Sequence, residues 1–123
     1  QPNGVMDGFY CLNSVVFPYY DSASNEQKIW WDKYKSLYGR DPNTGSLYGY
    51  IFADILIKAI RDSGQNLTID NLVNSFEAFE DFEFPLNAGS ATFGKDIRQG
   101  NNISYLFQVR DQRFSVIAGP IAY

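Results

Sequence analysis

Between positions 47 and 60 the apolar residues fall at Leu47, Tyr48, Ile51, Phe52, Ile55, Leu56, Ala59 and Ile60. Adjacent pairs recurring once per helical turn mark an amphipathic helix whose apolar face is unusually wide. Such a face must be covered, so this segment commits the chain to a packed fold. From Ile103 the period drops to two. Ile103, Tyr105, Phe107 and Val109 alternate with Ser104, Leu106 and Gln108, and Phe114 and Val116 resume the alternation after 110–113. That change predicts a β-hairpin over 103–117. A helical period in the middle and a strand period at the end make the chain α/β.

Two further helices flank the first. Ser24 with Gln27 forms a capping box, and Trp30, Tyr34, Leu37 and Tyr38 follow at helical spacing. Gly39 supplies the left-handed residue that ends this helix, predicted over 24–39. The central helix is predicted over 46–63, with Asp54 and Lys58 placed for an ion pair on its outer side. Thr68 caps a third helix over 68–79 whose Ile69, Leu72, Val73 and Phe76 face inward. Ahead of them, 4–17 lacks a helical period and reads as one or two strands ended by Phe17-Pro18. Between the third helix and the hairpin, 80–94 mixes Phe and Leu with Pro85, Gly89 and Gly94. That mixture predicts short extended pieces and turns.

Composition removes several function classes. The 123 residues contain no His, which excludes histidine-based triads, histidine general bases and histidine zinc sites. The single Cys11 allows no intrachain disulfide and reads as a packed, inert thiol. Ten basic and fourteen acidic side chains are scattered, with no basic stretch for a phosphate backbone, so nucleic acid is not an expected partner. The glycines match neither a P-loop nor a dinucleotide fingerprint. Glu77, Glu80, Asp81 and Glu83 read as a solvated acidic turn. No cofactor or metal is expected, and the chain is expected not to be an enzyme. It has no apolar run of membrane-spanning length. Starting at Gln1 without Met, it is expected to be a mature or excised segment. The triplets Asn66-Leu67-Thr68 and Asn102-Ile103-Ser104 fit the glycosylation pattern, one that chance often produces.

Five phrases, in order, resemble the C-terminal part of type I periplasmic solute-binding proteins, the branched-chain amino acid and amide-binding family of ABC transporters. They are Gly4-Val5-Met6-Asp7-Gly8-Phe9 on a strand, WDKYKSLYGRDP over 31–42, YIFADILIKAIRDSG over 50–64, the 82–86 and 91–94 pieces, and YLFQVRDQRF over 105–114. Two positions depart from the family pattern, Gln112 and Phe84, where glycine is common. The resemblance implies the C-terminal portion of a two-lobed fold, with 1–123 one fragment contributing to both lobes. The three helices would lie in one lobe, 4–14 and the hairpin in the other.

The resemblance also implies a periplasmic or cell-surface component of an importer, binding an amino acid or related amide in an interlobe cleft and docking on ABC permease subunits. A receptor sensor domain or a stand-alone protein-interaction module are the alternatives. Asp7 sits where amino-acid binders carry an acid for the ligand's ammonium. Ser46, Tyr48 and Tyr50 stand near a helix start, where open N–H groups favour a carboxylate and hydroxyls give orientation. Phe9 is expected to pack in a core strand, and Trp30 and Trp31 to be packing residues rather than a sugar platform. Missing halves of two sheets would leave edges open to a second copy, giving a homodimer by strand exchange.

Overall fold

A computed structural model describes residues 6–123. It divides into two compact units. One combines residues up to Val16 with Asn101–Tyr123, and the other is the continuous stretch Phe17–Gly100. The chain is α/β, with three helices and antiparallel strands.

The continuous unit holds the helices. α1 spans Asn25–Tyr38, and its capping box is formed as the sequence predicts. Ser24 N–H donates to Gln27 Oε1 at 2.8 Å, and Gln27 N–H donates to Ser24 Oγ at 3.3 Å. Gly39 closes α1 at φ 65°. α2 spans Thr44–Asp62, two residues earlier than expected, because Asn43 is the N-cap and Ser46 is its capping-box partner rather than the helix start. α3 spans Ile69–Glu77 behind the cap Thr68. The junction of α2 and α3 is pinned by Ser63, whose Oγ lies 3.0 Å from Ser75 Oγ.

The core of this unit is narrower than the apolar pattern suggests. On α2 only Leu47, Ile51, Ile55 and Ala59 are buried, one residue per turn. Phe52, Leu56 and Ile60, the neighbouring stripe, are exposed. On α1, Trp30 and Trp31 are buried as packing residues, but Leu37 and Tyr38 are solvent-facing. α3 buries no residue; Ile69 is 81% exposed and Val73 also faces water. Apolar spacing says which residues share a face, and the neighbours available decide how much of it is covered. The expected Asp54–Lys58 pair is replaced by Lys58–Asp62 at 2.6 Å. Lys58 Nζ lies 5.5 Å from the centre of the Phe79 ring and 6.0 Å from that of Phe82, which fixes its direction.

The 80–94 segment forms short pieces and turns, as expected. β2 (Phe82–Glu83) pairs with β3 (Ser90–Ala91) across a tight loop. In that loop Leu86 and Asn87 adopt φ 63° and 55°. Phe84 itself is extended at φ −75° and buried, so this position needs no glycine. The acidic side chains Glu80, Asp81 and Glu83 are exposed, and Glu77 pairs with Arg98 at 2.7 Å.

The other unit is a three-stranded antiparallel sheet ordered β1-β4-β5. β1 is Tyr10–Asn13, β4 is Ile103–Arg110 and β5 is Arg113–Ala122. The hairpin extends five residues past its predicted end. Phe107 and Val109 are buried, with Cys11 opposite Phe107 and only partly covered. β5 passes over an irregularity in β4, where the register shifts between Ser104 and Phe107. Of the strand expected in 4–17, Gly4 and Val5 lie outside the described residues. Met6–Gly8 is a turn, because Phe9 N–H bonds to Met6 carbonyl and Gly8 adopts φ 88°. Phe9 is 58% exposed, so it is not a core strand residue.

Candidate functional site

Inside the continuous unit, α1 and α2 border a groove of about 620 Å³, within the range of small-molecule sites. Its walls are aromatic. The Trp30 ring centre lies 6.1 Å from that of Tyr34 and 6.0 Å from that of Tyr50, and Tyr34 lies 4.6 Å from Tyr38. Gly49 and Ala53 open the α2 side, where larger side chains would fill the space, and Leu86 closes one end. Gln27 Nε2 donates to Leu86 carbonyl at 2.9 Å, so the α1 cap also holds this end wall.

The groove gathers two of the four residues singled out in the sequence. Ser46 and Tyr50 line it. Tyr48 is half-buried and stacks on Phe52 at 5.7 Å, outside the lining. The amide expected to await a carboxylate is already engaged: Ser46 N–H donates to Asn43 Oδ1 at 3.0 Å, while Asn43 N–H donates to Ser46 Oγ at 3.3 Å. A capping box consumes the donors that an open helix start would offer.

Asp7 belongs to the other unit and is exposed. Its Oδ1 accepts the main-chain N–H of Gln112 at 3.0 Å. Gln112 and Asp111 form the two-residue turn between β4 and β5 at φ 62° and 50°. The carboxylate therefore reaches across 105 positions of sequence to hold a hairpin turn.

Trp30 and Tyr34, which share the apolar stripe of α1, also line the groove, Trp30 as a buried packing residue. Their spacing of one turn on α1 puts two rings beside the α2 start. The Ser46 hydroxyl beside Tyr34 draws its phenol below the ordinary value. Partial burial opposes this, and the Arg40 guanidinium adds to the lowering. Ser46→Ala is expected to move the Tyr34 midpoint upward, read as tyrosinate absorbance against a Tyr34→Phe control. An unmoved midpoint would show that Ser46 does not govern this phenol. Glu26 and Lys33 stand at the groove rim. No group of three or more metal-binding side chains is found among the described residues.

The fold is α/β, and an aromatic groove lies between α1 and α2. A family model described as periplasmic binding protein matches residues 2–113, and the chain belongs to that family. These are non-enzymatic solute-binding proteins of the extracytoplasmic space. Among solved structures, the chain is similar to a branched-chain amino acid ABC transporter protein of Thermus thermophilus with bound valine. There the TM-score is 0.76 and the identity 15%, over 96% of this chain and 34% of that one. It is also similar to a leucine-binding protein of Thermotoga maritima, with TM-score 0.66 and identity 17%, over 94% of this chain and 31% of that one. The chain spans about a third of the length of these structures. No curated protein matches it significantly. No described helix is long and apolar enough to cross a membrane.

Proposed function

We propose that the protein is the solute-binding component of an ABC importer, and that its solute is an amino acid or a related small amide. The observation that carries this reading is the family match, which runs through nearly the whole chain. The valine bound in one similar structure supports an amino acid over a sugar or a metal. In this reading Asp7 receives the solute's ammonium, and Ser46 and Tyr50 supply hydroxyl and apolar contacts. Its two units contribute to the two lobes of the whole protein, which docks on permease subunits when ligand closes it. Calorimetry of the protein at its full natural length, against amino acids, their amides and organic acids, tests the reading. Micromolar binding of an amino acid is expected, and silence across the panel would refute it. Asp7→Asn is expected to weaken that binding roughly 30-fold, about 2 kcal/mol, because a shielded ammonium loses its counter-charge.

The same reading includes self-association of the 123-residue chain. β5 is a ten-residue outer strand with Arg113 as its only charge, and Phe114, Val116 and Ile121 are exposed along it. Long, weakly charged edges pair readily with another copy. Light scattering is expected to show a dimer as concentration rises, and a monomer throughout would rule this out.

A further inference from the structure

We infer that the β4–β5 turn is a positioning element for Asp7, its Gln112 amide deciding which carboxylate oxygen is left to meet a solute's ammonium. The inference rests on the proposed role of Asp7 in solute binding. A two-residue hairpin turn with both central residues left-handed matches the twist of its strands. It closes its own ring through the residues that flank it, so the N–H of its second central residue, Gln112, points outward without a hairpin partner. Asp7 Oδ1 takes that N–H at 3.0 Å.

The main chain beside Asp7 is fixed independently. Gly8 N–H donates to Val109 carbonyl at 2.8 Å, and Val109 N–H donates to Phe9 carbonyl at 2.8 Å. Gly8 at φ 88° makes the bend that brings Asp7 over the turn. Arg110, the nearest cation along β4, donates its Nε to Gln108 Oε1 at 2.8 Å. Asp7 forms no ion pair among the described residues. With its backbone anchored and Oδ1 committed, the carboxylate presents Oδ2 in one orientation. A pre-set acceptor avoids the ordering cost that a freely rotating carboxylate would meet on binding. Gln112 is thus a positioning residue, acting through its main chain, and any side chain that tolerates the left-handed conformation serves.

The test replaces only the donor. In the protein at its natural length, an amide-to-ester exchange at Gln112 substitutes oxygen for the N–H, and L-valine affinity is measured by calorimetry. Affinity is expected to fall about tenfold, the scale of one hydrogen bond to a charged group. Gln112→Gly, which keeps the N–H, should bind as the unmodified protein does. Asp7→Asn should keep the Gln112 amide protected from hydrogen exchange, since its Oδ1 still accepts, while losing valine affinity. Asp7→Ala should lose both. If the ester binds valine normally while Asp7→Asn does not, the positioning role is overturned and the solute reading stands. If Asp7→Asn binds valine normally, or valine fails to bind the unmodified protein, the role of Asp7 in solute binding falls and this inference with it.

Discussion

Replacing Leu47 by alanine is expected to destabilise the 17–100 unit by about 3 kcal/mol, within the range for truncating a buried leucine. Leu47 is fully buried in the first turn of α2. Removing its branched end deletes apolar contacts and leaves a void in the core. Phe52→Ala on the same helix is the informative partner. Its ring is larger but 62% exposed, so the expected cost is below about 1 kcal/mol. Urea unfolding followed by circular dichroism measures both. Equal losses would mean that the exposed stripe of α2 is covered in solution, and the narrow core described above would be wrong.

The second large effect belongs to the sheet. Gly119→Ala is expected to cost about 3 kcal/mol, from a strained backbone and an overpacked contact acting together. Gly119 adopts φ 128°, a region L side chains rarely enter. An added Cβ would stand 3.0 Å from Tyr105 Cα and 3.1 Å from Ser104 carbonyl oxygen. Both are main-chain atoms at the irregularity in β4, so relief requires one strand to move. Ala118→Gly, one residue away in the same strand, controls for generic loss of strand propensity. Hydrogen exchange should show β4 and β5 opening in Gly119→Ala with the helices still protected. A melting temperature unchanged from the parent would remove the argument for an obligate glycine here.

The sequence disclosed elements far better than their surroundings. The caps Ser24, Gly39 and Thr68 were legible because capping is local chemistry within three or four residues. The two-residue period of β4 was legible for the same reason. Asn43 was less legible as a cap, because it and its partner Ser46 lie ahead of the apolar period that marks α2. Burial was less legible. Buried Ile51 shares its helical spacing with the exposed neighbours Phe52 and Leu56, so periodicity cannot say which side meets a partner. The site was half legible. Ser46 and Tyr50 do line the groove, yet the N–H of Ser46 is spent on Asn43, and Tyr34 was hidden inside an apolar stripe. Asp7 was read as an acid at a strand end. Its bond to Gln112 joins residues 105 apart and leaves no trace in local spacing.

The division into units also orders assembly in time. The sheet takes strands from both sides of residues 17–100, so β1 pairs with β4 across an intervening stretch that must first be gathered in. Closing a loop becomes costlier as it lengthens, by about 0.6 kcal/mol for each doubling. The β4–β5 hairpin and the 17–100 unit contain nearer contacts and can form without that closure. β1 is therefore expected to join last, and pulsed hydrogen exchange showing β1 protected before the helices would refute that order. The bond from Asp7 to the hairpin turn would then form with β1, and protection of the Gln112 amide would report that step.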